Sequence, residues 1–234
     1  MQIFLDTANR EEIARGVATG VVAGVTTNPT IISRENKPLV ECVRAVLDVD
    51  PTLIVLVEVI SDRAAGMVEE ARKLAASSEN IVVKIPMTAE GLAAVKCLRR
   101  DGIRTTVTLV FSVNQAIAAS CAGASYVAPF VGRLDDINAD GLRLVREIKA
   151  LFKVQNAATG VLAASIRTPQ SVADLFAAGC DIVTMPEKVL HAMFRHPLTD
   201  AGLRAFMEDW RKVPGGENAF AALHRKGQLA QCQS

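Results

Sequence analysis

The residue in this sequence that is best suited to do chemistry is Lys84, which lies in the middle of the apolar run Ile81–Pro86. The β-branched residues around it are typical of a buried strand. A lysine is almost never fully buried unless it is paired with a counter-charge or used in chemistry. Burial disfavours the charged form of an amine and frees its lone pair to attack a carbonyl carbon. The sequence therefore predicts Schiff-base chemistry at Lys84.

Other candidate side chains stand at or near the ends of apolar runs, where the C-terminal mouth of a barrel would gather them. They are Asp6, Asn28, Glu58, Thr106, Thr108, Phe130, Arg133, Ser165 and Arg167. Successive residues of a strand face opposite sides, so Lys84 and Glu58 point inward if their apolar neighbours point outward. We expect an acid, an amide, an amine and hydroxyls to converge at one mouth.

Several of these candidates also have a purely structural interpretation. Lys84 and Glu58 could form a buried ion pair that would hold the lysine protonated. Asp6 could cap the first helix, although Asn9 is better placed to do so. Asn28 precedes a proline and could hydrogen-bond within its own turn. The sequence alone leaves these alternatives open.

Three further candidates have ordinary structural roles as well. Thr108 is a good strand former, and Phe130 is most simply a core residue. Ser165 could cap a helix, but Thr168 with a proline after it is the better helix start. We therefore expect Ser165 to remain available at the mouth.

Two arginines lie close to where barrels often hold a phosphate. Arg133 and Arg167 follow the sixth and seventh predicted strands, and Ser165 lies beside the second of them. A guanidinium binds phosphate through two hydrogen bonds, and a hydroxyl adds a third. The alternative is a pair of solvated surface arginines. No glycine-rich nucleotide motif appears, which favours a small phosphorylated substrate.

Eight apolar runs recur along the chain, and most are continuous rather than alternating, as in a parallel sheet covered on both faces. They are Gln2–Leu5, Val22–Thr27, Leu53–Ile60, Ile81–Pro86, Thr105–Val110, Tyr126–Val131, Thr159–Ser165 and Ile182–Met185. Segments with helical spacing lie between them, including Ala64–Ala76, Ala89–Asp101, Val113–Ala122, Gly141–Phe152 and Thr168–Ala178. This alternation predicts an α/β fold, a single-domain (β/α)8 TIM barrel over residues 1–196. The alternative is an open doubly wound sheet.

The C-terminal part of the chain exceeds what a barrel needs. Residues 197–234 are predicted to form a helical extension, with helices around Ala201–Lys212 and Asn218–His224. We expect this extension to pack on the barrel or on a neighbouring subunit.

The composition argues against several classes of function. Lys and Arg exceed Asp and Glu by a net charge of +1, and the chain has one Trp and one Tyr, so nothing suggests nucleic-acid binding. No apolar run approaches the roughly 18 residues of a membrane span, and the first residues do not resemble a signal peptide. Five scattered cysteines are typical of reduced thiols in a cytoplasmic protein. The three histidines cluster near the C-terminus, so we expect no histidine-based metal site.

Six motifs together resemble the short, bacterial-type transaldolases, in order and from residue 1 to about residue 211. They are Leu-Asp-Thr-Ala-Asn, Gly-Val-Thr-Thr-Asn-Pro-Thr, Ile-Val-Val-Lys-Ile-Pro-Met-Thr-Ala-Glu-Gly, Thr-Leu-Val-Phe-Ser, Ala-Pro-Phe-Val-Gly-Arg and Ala-Ala-Ser-Ile-Arg. The resemblance implies a (β/α)8 barrel with the Schiff-base lysine on strand four. It also implies homo-oligomers, pentamers or decamers, often with exchanged C-terminal helices.

The resemblance also implies a role for each matching residue. Lys84 would be the nucleophile, Asp6 and Glu58 would be acid/base groups, and Glu58 with Thr108 would hold a catalytic water. Asn28 would orient the substrate. Arg133, Ser165 and Arg167 would then hold its phosphate. No metal or cofactor is expected, because an iminium already supplies the electron sink.

Two positions distinguish this sequence from the related fructose 6-phosphate aldolases, which typically carry Gln and Tyr where it has Glu58 and Phe130. A carboxylate can shuttle protons during imine formation, whereas an amide cannot. A phenol could help to release free dihydroxyacetone, and Phe130 lacks that donor. The sequence therefore predicts a transaldolase that acts on sugar phosphates. The alternatives are a fructose 6-phosphate aldolase and a non-catalytic barrel that binds sugar phosphates.

Overall fold

Eight parallel strands close into a barrel in the computed structural model, which describes residues 1–216 and Ala219. Each strand pairs with the next in sequence, and the last strand pairs with the first, so the barrel has no open edge. This closure confirms the predicted (β/α)8 barrel and excludes the open doubly wound sheet. The strands are β1 (Gln2–Asp6), β2 (Val22–Thr26), β3 (Ile54–Glu58), β4 (Ile81–Pro86), β5 (Thr105–Val110), β6 (Tyr126–Pro129), β7 (Gly160–Ala163) and β8 (Ile182–Met185).

Helices alternate with the strands along the chain and continue after the last of them. They are α1 (Arg10–Val17), α2 (Pro29–Glu35), α3 (Leu39–Val49), α4 (Ala64–Ser77), α5 (Ala89–Arg100), α6 (Val113–Ala122), α7 (Val131–Asp135), α8 (Gly141–Val154), α9 (Pro169–Ala177), α10 (Glu187–Met193) and α11 (Pro197–Trp210). Within the described residues, none of these helices has the length and apolar character needed to cross a membrane.

The chain divides into two compact units, one over Met1–Met193 and the other beginning at Phe194. The second unit contains α11, which begins four residues before the predicted helix Ala201–Lys212 because Pro197 can start a helix at its first position. The helix predicted over Asn218–His224 lies outside the described residues, apart from Ala219. The division into a barrel over residues 1–196 and an extension over residues 197–234 stays a prediction.

Side chains cap the helices where the sequence suggests. Asn9 accepts hydrogen bonds from the backbone N–H groups of Glu11 and Glu12 at 3.0 and 3.2 Å and so begins α1. Thr168 accepts from the Ser171 N–H at 3.2 Å and begins α9. These caps leave Asp6 and Ser165 free of any capping role, as predicted.

The strands distribute their apolar side chains over two layers. Alternate residues form a cluster inside the barrel, while the residues between them pack against the surrounding helices. The inner cluster contains Phe4, Leu56, Val82, Ala128, Phe130, Leu162, Ala164 and Ile182. Val83 and Ile85 belong to the outer layer, as expected for strand neighbours of an inward-facing Lys84.

Strand β5 departs from simple alternation. Its register with β6 shifts between Val107 and Val110, and Leu109 within this irregularity has a φ of 60°, a left-handed conformation that is uncommon for a leucine. Leu109 packs against the inner cluster, although alternation from Thr106 would place it outside. No residue pattern in the sequence predicted this irregularity.

Four predicted strands, β2, β3, β6 and β7, are shorter in the structure. The sixth ends at Pro129 rather than Val131, because Val131 already begins α7. The seventh spans Gly160–Ala163, and only an isolated bridge between Phe130 and Ala164 continues the pairing beyond it. Phe130 alone therefore links β6 to α7, whereas residues 164–168 form a loop between β7 and α9 at the barrel mouth.

Replacing Gly24 by Ala is expected to lower the free energy of unfolding by about 1–3 kcal/mol, the usual cost of overpacking a core. A Cβ atom there would lie 2.6 Å from the Ile54 carbonyl oxygen and 2.7 Å from the Phe4 ring. Urea denaturation measures the change. The control is Gly202→Ala on α11, where a Cβ would meet nothing within 4 Å. Equal stability of Gly24→Ala and the parent protein would contradict this account of β2–β3 packing.

Candidate active site

A cavity of about 100 Å³ lies at the C-terminal mouth of the barrel. Its lining consists of Asp6, Thr26, Asn28, Lys84, Ala128, Phe130, Arg133, Leu162, Ala164, Ser165 and Thr184. Larger hollows of about 630 and 710 Å³ lie around the N-terminal ends of the later strands. The cavity at the mouth is the better candidate site, because it contains the buried lysine and lies where barrels carry their chemistry.

Lys84 is buried and makes two polar contacts. Its side chain is only 6% exposed, and Nζ lies 3.2 Å from Oε2 of Glu58. Nζ also donates a hydrogen bond to the backbone carbonyl of Thr27 at 2.8 Å. Glu58 and Lys84 are register partners on β3 and β4, which explains why their side chains meet. The ion pair that the sequence left open is therefore present.

The Thr27 carbonyl is a partner of Lys84 that the sequence did not predict. The Thr27 N–H and hydroxyl both donate to the Leu56 carbonyl at 2.9 Å, so β3 holds this residue firmly. This anchoring fixes the direction of the Thr27 carbonyl toward the amine. Lys84 is thus held from one side by a carboxylate and from another by a backbone oxygen.

Asp6 ends β1 and faces the cavity. Its Oδ1 accepts a hydrogen bond from the Thr26 hydroxyl at 2.7 Å. The surrounding protein desolvates the carboxylate and raises the pKa of Asp6 above its ordinary value of 3.8, although the Thr26 hydrogen bond and the charges of Lys84 and Arg34 act in the opposite direction. A carboxylate with a raised pKa accepts a proton readily, which suits a general base.

Thr26 is itself part of a longer hydroxyl chain. Its Oγ1 lies 2.6 Å from Oγ1 of Thr184 on β8, and both threonines are almost fully buried. Neither Thr26 nor Thr184 was predicted from the sequence to belong to the site. The available signal was weak, since Thr184 is the single polar residue of an apolar strand and threonine is common in strands.

Asn28 lines the cavity and also caps a helix. Its Oδ1 accepts a hydrogen bond from the Ile31 N–H at 2.9 Å and so begins α2. The local role that the sequence left open is therefore present. This bond uses the amide oxygen, which leaves the amide nitrogen as the donor for a substrate.

Thr106 and Thr108 carry buried hydroxyls without partners. Both side-chain oxygens lack a hydrogen bond among the described residues, and both residues are fully buried. Their register partners on β4 are Lys84 and Pro86. Glu58 and Thr108 are absent from the cavity lining, so the structure places them beside the cavity rather than on its wall.

Arg133, Phe130 and Ser165 occupy the opposite wall of the cavity. The Arg133 guanidinium carbon lies 5.0 Å from the centre of the Phe130 ring, a cation–π contact that holds the arginine over the mouth. The ring also contacts Phe111, with 5.9 Å between the ring centres. Ser165 has a φ of 64°, an uncommon left-handed conformation for a serine.

Arg167 is not on the cavity wall, although the sequence placed it with Arg133 and Ser165. Its two terminal nitrogens donate to the two carboxylate oxygens of Asp136. Its Nε lies near Gly132, where an added Cβ would come within 2.9 Å of Nε and 2.2 Å of the Ser165 carbonyl oxygen. Glycine at position 132 therefore permits the close approach of these two segments.

Among residues 1–216 and Ala219, no group of three or more His, Cys, Asp or Glu side chains is arranged to hold a metal ion.

The fold and this cavity together define a class of protein: a (β/α)8 barrel with a buried, carboxylate-paired lysine at its C-terminal mouth. The family model described as transaldolase/fructose-6-phosphate aldolase matches residues 3–217. The chain belongs to this family, which confirms the resemblance seen in the sequence.

Several relatives are similar over nearly their whole length. A probable transaldolase of Kosmotoga olearia is 53% identical over 216 residues, which cover 92% of this chain and 99% of that protein. A probable transaldolase of Aquifex aeolicus is 51% identical over 214 residues, covering 92% and 98%. Among solved structures, thiamine phosphate pyrophosphorylase from Pyrococcus furiosus matches with a TM-score of 0.52 and 16% identity over 79% of this chain and 85% of that one. The last likeness concerns the fold alone.

Asp6→Asn is expected to raise the free energy of unfolding at pH 7. Because the pKa of Asp6 is above 3.8 in the folded protein, the unfolded chain loses this proton first. Stability is therefore lost as the pH rises from 3.8 through the folded pKa. The asparagine of the Asp6→Asn variant does not titrate, so the variant avoids this loss. Its higher free energy of unfolding relative to the parent should therefore disappear at pH values below 3.8. Denaturant unfolding at several pH values measures the difference.

The matched control is Asp50→Asn, because hydrogen bonds from Thr52 lower the pKa of Asp50. That exposed variant should lose stability at pH 7 instead. An Asp6→Asn variant that is less stable than the parent at pH 7 would contradict the account of Asp6 desolvation.

Proposed function

We propose that this protein is a transaldolase. It moves a three-carbon dihydroxyacetone unit from fructose 6-phosphate or sedoheptulose 7-phosphate to an aldose phosphate, through a Schiff base and without a metal or cofactor. The observation that carries this proposal is the buried Lys84 amine, 3.2 Å from the Glu58 carboxylate and in one cavity with Asp6. The similarity to probable transaldolases supports the same reaction.

The first step requires a neutral amine. The Lys84 ammonium gives a proton to Glu58, which lies close enough for direct transfer. The amine then adds to the C2 ketone of the sugar. Glu58, now protonated, returns the proton to the departing hydroxyl, and water leaves as the iminium forms. The ion pair is thus the resting state of a proton shuttle.

The second step breaks the C3–C4 bond. Asp6 accepts the proton of the C4 hydroxyl, and the electrons of the broken bond flow into the iminium to give an enamine. The phosphorylated aldehyde leaves. Glyceraldehyde 3-phosphate or erythrose 4-phosphate then enters, the enamine carbon bonds to its aldehyde carbon, and Asp6 returns the proton to the new hydroxyl. Water then hydrolyses the iminium so formed, which releases the product sugar and restores the Lys84 amine. The raised pKa of Asp6 suits both of its proton transfers.

Thr108 and Asn28 complete the reacting centre. The partnerless Thr108 hydroxyl is suited to hold, with Glu58, the water that is released and consumed. The amide nitrogen of Asn28 remains available to a substrate hydroxyl, because its oxygen already caps α2. These roles follow the family resemblance and fit a fully buried Thr108 and a half-buried Asn28 that lines the cavity.

The phosphate of the sugar binds on the opposite wall. Arg133 and Ser165 line the cavity and supply a charged donor and a hydroxyl. Arg167 is close to Ser165 but is paired with Asp136. A phosphate at this site must therefore bind the Nε side of Arg167 or displace Asp136.

A fructose 6-phosphate aldolase is the alternative within the family, but Phe130 argues against it. The Phe130 ring has no proton donor, and Arg133 covers it. The enamine therefore persists until an aldehyde binds, because it is not protonated and released as free dihydroxyacetone. The alternative that is not an enzyme is a barrel that binds sugar phosphates without catalysing a reaction. The retained set of Lys84, Glu58, Asp6 and Thr108 favours catalysis.

We also propose a cytoplasmic homo-oligomer. The free thiols of Cys42, Cys97, Cys121 and Cys180 suit a reducing compartment. Leu198, Leu203 and Phe206 on α11 are exposed apolar side chains, which suits a helix that packs against another copy. Pentamers or decamers are expected from the family resemblance.

Borohydride trapping with fructose 6-phosphate is expected to leave a three-carbon adduct on Lys84, found by intact-mass analysis and peptide mapping. Supplying glyceraldehyde 3-phosphate should remove the adduct, because the acceptor takes the enamine. Lys84→Ala should lose the adduct and all turnover. Lys149→Ala is the matched control, since Lys149 is a partly buried lysine paired with Asp181 outside this cavity.

Three results of this experiment would each change the assignment. Release of dihydroxyacetone without an acceptor would favour the aldolase. A folded protein that binds the sugar phosphate but forms no adduct would favour the non-catalytic barrel. An adduct on another lysine would refute the role of Lys84.

Arg133→Ala is expected to raise the KM for erythrose 4-phosphate by about 10- to 100-fold, because a charged hydrogen bond to phosphate contributes roughly 1.5–3 kcal/mol. The KM for unphosphorylated glyceraldehyde should change little. Steady-state kinetics with both acceptors measure the contrast. An equal effect on both would show that Arg133 does not recognise the phosphate.

A further inference from the structure

Asp6 is the end of a chain of hydrogen bonds between hydroxyl groups that involves three strands. Thr184 on β8 lies 2.6 Å from Thr26 on β2, and Thr26 donates to Oδ1 of Asp6 on β1 at 2.7 Å. Both threonines are at most 2% exposed. The strands make this arrangement possible because β1 lies between the other two in the closed barrel.

The direction of the chain follows from the number of protons. A carboxylate only accepts hydrogen bonds, and a threonine hydroxyl has one proton to donate. Thr26 gives that proton to Asp6, so its oxygen must accept the proton of Thr184. The order is therefore Thr184 to Thr26 to Asp6. A hydroxyl that accepts a hydrogen bond becomes a stronger donor to the next group.

Thr184 has no evident packing reason to be a threonine. It is the one polar residue of β8, whose other members Ile182, Val183 and Met185 are buried and apolar. Valine has nearly the same shape and would fill the same space. In the described part of the chain, the contact with Thr26 is the one hydrogen bond formed by the Thr184 hydroxyl.

We propose that Thr184 is a positioning residue for the reaction, acting on Asp6 through Thr26. It fixes the Thr26 proton on Oδ1, leaves Oδ2 for the substrate hydroxyl and stabilises the carboxylate as the base. This inference rests on the proposed function, in which Asp6 removes the C4 hydroxyl proton. The charged groups that act on Asp6 are Lys84 from β4 and Arg34 from α2, and a change at residue 184 leaves both in place.

Thr184→Val is expected to lower kcat by about two- to tenfold, the range that loss of one buried hydrogen bond gives. KM should stay within about twofold, because valine keeps the shape of the cavity wall that Thr184 forms. The loss of a donor disfavours the carboxylate, so the acid limb of the pH–rate profile should move to higher pH. Thr184→Ser keeps the hydroxyl and should restore both kcat and the position of the acid limb.

The control is Thr159→Val, which removes another buried threonine hydroxyl. Thr159 bonds the Ser120 hydroxyl and the Ala124 carbonyl at 2.9 and 3.0 Å, away from the mouth. That variant should lose stability without moving the acid limb. Equal behaviour of Thr184→Val and Thr159→Val would show a merely structural role and overturn the proposal.

A direct titration separates this inference from the proposed reaction. Carbon-13 NMR of the Asp6 carboxyl group follows its protonation in the parent protein, Thr184→Val and Thr184→Ser without any turnover. A higher Asp6 pKa in Thr184→Val alone supports the proposal, and an unchanged pKa overturns it. Failure of the proposed function would appear instead as a parent protein that forms no Lys84 adduct.

Discussion

The contact on which the site depends is the buried ion pair between Lys84 and Glu58. A lone ammonium in this position would be too costly to keep, and the pair is tolerated because Thr27 supplies a further hydrogen-bond acceptor. The register between β3 and β4 brings the two charges together, and closure of the barrel holds that register. A pair that is stable at rest and separable by one proton transfer is also what the proposed Schiff-base step needs.

Much of the site could be predicted because strand alternation is a strict rule. Lys84 and Glu58 stand out as charges in apolar strands, and period two assigns both to the inner face. The same rule predicts Val83 in the outer layer, and the structure places it there. The eightfold strand–helix alternation likewise predicted the barrel before any contact was known.

The parts that escaped prediction depend on contacts distant in sequence or on unusual backbone. The ion pair of Arg167 with Asp136 joins residues 31 positions apart, and no local sequence pattern predicts it. Leu109 breaks alternation through a left-handed φ, which a leucine rarely adopts. Thr26 and Thr184 are ordinary strand formers, so the hydrogen bond between them appears only when the last strand meets the first and closes the barrel.

That meeting has a consequence for the order in which the molecule matures during synthesis. Asp6 is synthesised long before β8, which begins at Ile182, yet β8 carries Thr184, one of the two threonines in the hydroxyl chain of Asp6. Until that strand arrives, β1 has an unpaired edge, and an exposed edge invites pairing with another chain. The same late event therefore seals the barrel against aggregation and completes the surroundings of its carboxylate. A chain without β8 has both an exposed edge on β1 and an Asp6 carboxylate whose hydroxyl chain lacks Thr184.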